Sequence, residues 1–442
     1  LNSGEEKAYS AKLLKCGFIF HYFRVMIPDI PIVVIGYNRP TALRRLMESL
    51  SKANYPGKVK LYISLDGGGG EEVRKVAREF EWRVGEKELI FHDKNLGLRQ
   101  HVLTCGDISS RHEGIIVLED DLLVSPEFYD FATMAYGFYS EDPEIAGISL
   151  YHHAYNETAQ FPFVPLNDGS DVYFLKYAAS WGQLWGKKHW RQFRDWYDHS
   201  ETDAHPDESI PANIKLWPSN SWKKFFIEFL IQKDYYFVYP RVSFTTIFGD
   251  EGTNIRMRET FLQVPLYYGK RPFRFVAFED SYAVYDTWCE ILPDRLKRLV
   301  PALSDEEFDV DLYGMKFSED ISSQKILSGR ICRDFEMTFG REMKPHEENI
   351  IHQLPGNYFH LGKKEQFKDV FYLYRLLKCH EKAELSYWFP LRPYHFGKRR
   401  IITANRRRNK LAAPVFVLKK AISTLSYAIK YFFPKREPGK DG

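Results

Sequence analysis

The sequence predicts an α/β fold built on a mostly parallel sheet with helices on both faces. Three observations carry that expectation. Between residues 32 and 118 apolar runs of strand length recur four times. The stretches between them place apolar residues at three- and four-residue spacing, the period of an amphipathic helix. The resulting βαβαβαβ order needs crossover connections, and crossovers cover a parallel sheet on both sides.

The first strand is IVVIGY at residues 32–37, a continuous apolar run. Pro40 then stands where a first helical turn tolerates proline, and Leu43, Leu46, Met47 and Leu50 follow at helical spacing. Residues 60–65 form a second strand that ends in Asp66 and the glycines 67–70, and residues 71–80 a second helix. A short third strand spans 88–91 and a helix 97–110. The fourth strand, 114–118, runs into Glu119, Asp120 and Asp121; Ser125 then caps a helix with Pro126 at its first position. From residue 142 to about 300 the alternation fades and aromatic residues cluster, with Trp181, Trp185, Trp190 and Trp196 off any single helical stripe. Residues 221–233 read as a helix and 235–239 as a strand.

With 442 residues, 44% hydrophobic and 27% charged, the chain is long enough for two to three domains and excludes wholesale disorder. Aromatic residues reach 16%, which suits either sugar binding or a ring-rich core. The five cysteines form no C-x-x-C pair, which argues against a zinc cluster or disulfide framework and fits a reducing compartment. No apolar stretch approaches the roughly 18 residues of a membrane span, and the short run at 16–20 lacks the pattern of a signal peptide. The chain starts at Leu1, and Met26 stands just ahead of the first strand as an alternative start. Residues 391–442 carry 14 basic residues against Glu437 and Asp441, so a chain of net +3 divides into a tail at +12 and a body at −9.

In a parallel sheet, ligands bind beyond the carboxyl ends of the strands. Asn38-Arg39, Asp66-Gly67, His92 to Gly97 and Glu119 to Asp121 are therefore expected to line one crevice. Three adjacent acids repel one another unless a cation offsets them, and hard divalent ions take carboxylate oxygens together with substrate phosphates. Arg39 suits a phosphate or a ribose, and Asp66 a base or sugar hydroxyl with glycines allowing close approach. Lys94 to Arg99 supplies Asn95 and Arg99 to the third loop.

These segments, IPIVVIGYNRP, LYISLDGGG, NLGLRQ and GIIVLEDDLLVSPEFYDF, resemble glycosyltransferases of the GT-A fold, in particular the N-acetylglucosaminyltransferase I-like group and bacterial family 2 sugar transferases. The likeness covers residues 29–140 and continues more loosely to Asn254 through SWGQLWG, SNSW, YPRVS and FGDEGTN. It implies a Rossmann-like nucleotide-sugar domain in which Asp121 ligates Mn²⁺ or Mg²⁺, Glu119 and Asp120 face the donor sugar and ribose, Arg39 lies near the diphosphate, and Asp66 contacts uracil. Those relatives carry their catalytic base in a Trp-Asp-Asp stretch, and the matching position here reads Ser221-Trp222-Lys223-Lys224, without an acid. Asp250, Glu251 and Glu228 are the remaining candidates for the base, with Asp250 first because Gly249 and Gly252 flank it.

The organisation expected is an extension at 1–28, a donor-binding half at 29–140, an acceptor-binding half at 141–300, a helical extension at 301–397 and a basic tail at 398–442. In that tail Val415, Leu418, Ile422, Leu425, Ile429 and Phe432 form an apolar stripe flanked by lysines, the pattern of a helix lying on an anionic membrane. The expected activity is metal-assisted sugar transfer from a nucleotide sugar, UDP-linked by the resemblance, to a glycan or lipid-linked acceptor at the cytoplasmic face of a bacterial membrane, with no nucleic-acid partner. The alternatives are a non-catalytic sugar-binding domain, favoured by the missing acid, and a nucleotidyltransferase, disfavoured because G-Y-N-R-P is no phosphate loop. His152 and His153 point to opposite faces of an extended chain and are expected to be structural rather than a metal pair. Asn156-Glu157-Thr158 matches a glycosylation sequon, to which the missing secretion signal gives little weight.

Overall fold

The computed structural model describes residues 29–159, 161–178, 180–200, 210–248, 250 and 262–367. The extension 1–28, the basic tail, residues 368–397 and Glu251 lie outside the described residues. The strands are β1 (Ile32–Gly36), β2 (Leu61–Leu65), β3 (Lys87–Phe91), β4 (Gly114–Glu119), β5 (Leu122–Val124), β6 (Ile145–Ser149), β7 (Tyr155–Asn156), β8 (Phe161–Pro162), β9 (Val172–Leu175), β10 (Gln183–Gly186), β11 (Tyr236–Pro240), β12 (Thr245–Ile247), β13 (Val284–Tyr285), β14 (Phe308–Asp311), β15 (Lys325–Ser328), β16 (Met337–Phe339) and β17 (Phe359–Lys363). The α-helices are α1 (Pro40–Ser51), α2 (Glu71–Glu79), α3 (Leu98–Gly106), α4 (Phe128–Tyr139), α5 (Lys187–His199), α6 (Ala212–Lys215), α7 (Trp222–Lys233), α8 (Pro293–Leu299) and α9 (Glu347–Ile351). They divide into two compact units, one of residues up to 154 with 163–306 and 343–352, the other of 155–162, 307–342 and residues from 353 on.

The first unit holds a nine-stranded sheet in the order β13-β9-β11-β6-β10-β4-β1-β2-β3. β1, β2 and β4 are apolar on both faces because helices cover both, and they pair in parallel with Ile32 opposite Leu61 and Ile116. α1 begins with Pro40 in its first turn and buries Leu43, Leu46, Met47 and Leu50, the stripe its spacing predicts. β10 enters antiparallel between β4 and β6, with Gln183 opposite Val117. β5 leaves the sheet immediately after the acidic run and pairs antiparallel with β12.

The tryptophan-rich middle is mainly core. Trp185 stacks on Trp190 at 4.4 Å and meets Phe226 of α7 at 6.0 Å. His152 and His153 are structural: His152 Nδ1 lies 3.1 Å from the Pro240 carbonyl, and burial lowers both rings, to about 4 and about 3, leaving them neutral.

The second unit corrects the helical reading over 307–342 and 353–367, whereas α9 in the first unit is helical and residues 368–397 lie outside the described residues. Its described part carries a four-stranded sheet, β14-β15-β17-β16. The strands are three to five residues long, and a carboxylate at the end of one is fully buried: Asp311 meets Arg330 at 2.7 Å and accepts the Met315 and Lys316 amides.

Candidate functional site

Three strand exits touch at the carboxyl end of the sheet, and glycine is what lets them. A Cβ on Gly69 would sit 1.8 Å from the Tyr37 carbonyl oxygen, and one on Gly67 2.2 Å from the Lys94 carbonyl carbon. The β2 exit is thereby wedged between the β1 exit and the loop after β3. Asp66 fastens this arrangement: its carboxylate accepts the amides of Gly67 (2.8 Å), Leu96 (2.7 Å) and Gly97 (3.1 Å). Asn95 closes the same loop, donating to the Gly67 carbonyl and accepting the Gly97 amide, each at 3.0 Å. A carboxylate has about four acceptor positions, so Asp66 keeps capacity for one further donor. The Tyr37 ring stays 37% exposed beside the glycine run, a face sequence reasoning passed over.

The three acids act on one another. Glu119 closes β4, and Asp120 and Asp121 lie in the turn that follows, where Asp120 comes beside the end of β1: a Cβ on Gly36 would sit 3.6 Å from its Oδ2. Arg39 pairs with the Asp120 carboxylate and reaches Asp121 Oδ2 at 3.1 Å. Burial pushes the Asp120 carboxyl up to about 6 against the opposing pull of Arg39, and its Oδ2 is buried without a hydrogen-bond partner. Burial, followed by the charges of Asp121 and Asp120, pushes Glu119 up to about 8.

This donor set fits a divalent ion of the Mg²⁺ or Mn²⁺ kind. Among the described residues no three His, Cys, Asp or Glu side chains form a ready metal cage, and such ions are commonly held by one or two carboxylates plus substrate phosphates. An orphaned, buried carboxylate oxygen beside a half-buried aspartate meets that requirement, with Arg39 as the resident counter-cation. Replacing Arg39 with methionine should therefore raise the nucleotide-free affinity for Mn²⁺ about tenfold, measured by calorimetry; unchanged affinity would contradict the competition.

Glu119 also gives a pH signature. A carboxyl that binds its proton more tightly in the folded chain contributes stability that is full below the ordinary glutamate range and is lost as pH rises through about 8. The melting temperature of the metal-free protein should fall between pH 7 and 9, and Glu119→Gln should remove about 1 kcal/mol of that dependence. An identical slope in the variant would show that Glu119 is already ionised at neutral pH.

The two described candidates for the base fall in different places, and Glu251 lies outside the described residues. Asp250 lies two residues past Phe248, whose amide donates to the Asp121 carbonyl at 2.8 Å, so it is carried to the acidic run. There its carboxylate pairs with Arg45 of α1, whose guanidinium also covers the Phe248 ring at 3.5 Å. Glu228 is buried on α7, one turn from Lys224. Arg99 does not face the acids: it donates to the Ser219 carbonyl at 2.8 Å and lies 5.0 Å over Phe225, tying α3 to the chain ahead of α7.

Sequence reasoning registered Lys223 only as a missing acid. Its ammonium lies 4.2 Å from the Trp217 ring, 5.2 Å from Tyr177 and 5.3 Å from Trp181, and it attracts Glu119 electrostatically. Its signal was the basic side chain itself, in the first turn of the helix that follows the SNSW segment.

No protein-family model and no curated protein matches the chain. Among solved structures it is similar to a mannosyltransferase from Pyrobaculum calidifontis in complex with GDP-Man and Mn²⁺, at 12% identity and TM-score 0.29, covering 45% of this chain and 55% of that one. It is similar to S. aureus TarS in complex with UDP, at 11% identity and TM-score 0.33, covering 49% of this chain and 59% of that one. GalNAc-T7 with UDP, GalNAc and Mn²⁺ gives 12% identity and TM-score 0.34, covering 55% and 52%. The chain thus spans little more than half the length of these glycosyltransferases, and at such TM-scores the functional reading must stand on the site itself.

Proposed function

We propose that the chain is a nucleotide-sugar glycosyltransferase, with a UDP-sugar donor held at the carboxyl end of β1, β2 and β4. The observation that carries this reading is the meeting, in one crevice, of Arg39, Asp120 and Asp121 with a glycine cradle and an exposed ring. Tyr37 offers its face to the base, and the Asp66-fastened loop supports the base edge. Asp121 and Asp120 would hold the divalent ion, which when bound neutralises charge on the diphosphate leaving group as a Lewis acid. Arg39, displaced from the carboxylates, would suit the oxygens of that diphosphate. The basic tail would keep the enzyme on an anionic membrane surface. Among the described residues no helix is long and apolar enough to cross a membrane.

Purified protein should hydrolyse UDP-sugars slowly and only with a divalent ion; a thermal-shift screen of nucleotide sugars in Mn²⁺ identifies the donor. Absence of any nucleotide-dependent shift would contradict the proposal. A non-catalytic nucleotide-sugar-binding module is the second reading, favoured by the Arg45 pairing of Asp250, and shifts without hydrolysis would support it.

Asp250 and Arg45 are expected to act as a pair that sets the loop after β12 beside Asp121. Asp250→Asn and Arg45→Met should then lower donor turnover to similar extents, with a coupling of about 1 kcal/mol in the double variant. Loss of turnover in Asp250→Asn with Arg45→Met near wild type would instead make Asp250 the proton acceptor.

A further inference from the structure

Gln183 carries a buried polar atom that the fold does not use. It opens β10, which runs antiparallel to both β4 and β6, and its register partners are Val117 and Ser149. Ser149 is the last residue of β6, and Val117 stands two before Glu119, the last of β4, so Gln183 lies toward the carboxyl ends of both strands. Val117 and Glu119 share a face of β4, and residues directly opposite in a ladder share that face as well. Gln183 and Glu119 are thus diagonal neighbours, a separation of roughly 7–8 Å that long side chains span. Gly182, just before, has a φ of 91°, and a Cβ there would sit 2.7 Å from Thr245 Cγ2. β10 therefore starts against β12, the strand paired with the residues that the acidic run leads into. There Gln183 is 1% exposed, and its Oε1 has no hydrogen-bond partner. Trp185 Nε1, on the same face of β10, is also unpaired, but its ring is enclosed by Trp190, Trp222 and Phe226, two residues further from the strand ends.

We infer, resting on the donor-site reading above, that Gln183 is a specificity-determining residue whose Oε1 accepts a hydrogen bond from an O–H or N–H of the transferred sugar. A buried acceptor without a partner destabilises the folded chain. This one stands at the edge of the proposed metal site, where a ligand can supply the missing donor. The terminal torsion of a glutamine is soft, so Oε1 can turn toward the edge that half-buried Glu119 marks. In the donor-site reading Asp120 and Asp121 hold the ion on the diphosphate, and the sugar is the group joined to that diphosphate. Gln183 lies one strand over from Glu119, which adjoins both acids in the chain. Its carboxamide is uncharged, so it can meet a sugar hydroxyl or acetamide without adding to the repulsion among three carboxylates. A site that pairs such a donor rejects an analogue without it, because the buried oxygen is then left unpaired again.

The test titrates the full chain in Mn²⁺ with UDP, UDP-glucose, UDP-galactose and UDP-N-acetylglucosamine, read by calorimetry. At least one of the three sugars should bind the wild type about fivefold or more tightly than UDP does. Gln183→Leu, and Gln183→Met of matched length, should lose that gain and bind UDP as the wild type does. A gain confined to UDP-N-acetylglucosamine assigns the amide N–H as the donor, and a gain with UDP-glucose or UDP-galactose assigns a hydroxyl; both support the inference. Each variant removes an unpaired polar atom, so each should melt no lower than the wild type. Variants that melt lower and also bind UDP more weakly would mark Gln183 as a structural residue, bonded in solution by an internal water, and overturn the inference. A sugar gain that survives in both variants overturns it, and so does the absence of any gain in the wild type, which needs no variant to observe. The donor site stands in these cases as long as UDP binds the wild type in Mn²⁺. Failure of UDP itself to bind overturns the donor-site reading and this inference together.

Discussion

Asp121→Ala is expected to weaken UDP binding in Mn²⁺ by about 100-fold or more, equivalent to ~2.7 kcal/mol, while the protein stays folded. Asp121 is a half-buried acid of the triplet with one carboxylate oxygen engaged by Arg39. Its backbone is secured independently of its side chain, because Phe248 donates to its carbonyl and Leu122 pairs with Ile247 in the next register position. The loss should thus appear in metal-dependent affinity rather than in the melting transition. Asp121→Asn keeps the shape and removes the charge, and should lose nearly as much. Glu228→Gln, on buried α7, should leave UDP affinity unchanged. Calorimetry in Mn²⁺ that finds Asp121→Ala equal to wild type would remove Asp121 from the metal site.

Gly69→Ala should be the most damaging methyl group that can be added to the crevice. Its Cβ would overlap the Tyr37 carbonyl oxygen at 1.8 Å, and because the obstacle is backbone no rotamer can relieve it. The β1 and β2 exits must separate, at a cost of about 3 kcal/mol or more, and the separation moves Tyr37 away from the base position. Gly70→Ala is the matched comparison. Gly70 has a positive φ of 92° but nothing within 4 Å of the added atom, so it bears backbone strain without a clash. It should lose about 1 kcal/mol and keep nucleotide affinity. Urea unfolding with UDP titration on both variants separates the two effects; equal behaviour would mean that the close approach of the loops is not what shapes the crevice.

The first four strands and their helices were legible because their signals are local. Apolar runs, Pro40, the glycines after Asp66 and the acids after β4 each announce their place within a few residues, and the parallel order then follows from crossover geometry. What was not legible depends on pairing at a distance. Nothing near Glu119 in sequence announces the charges of Arg39 and Lys223, which reach it from two distant elements. Arg39 read as a phosphate ligand because its partners, Asp120 and Asp121, lie more than eighty residues away. Asp66 read as a nucleotide contact, and its three bonds to backbone amides show how much of its acceptor capacity the loop after β3 takes. Asp250 read as a free loop acid, because nothing near it in sequence announces Arg45. The sheet of the second unit was missed for a different reason. FDVD, KILS and MTF are too short and too mixed in polarity for a period of two to emerge, and their stability rests on partners such as Arg330 with Asp311.

The measurement that bears most directly on the central claim is calorimetric titration of the wild-type chain with UDP, in Mn²⁺ and in chelator. Binding in Mn²⁺ is expected to be lost, or to fall by at least about tenfold, when the ion is removed. Equal affinity in both conditions, or no binding in either, would contradict a metal-assisted nucleotide-sugar site at Asp120 and Asp121.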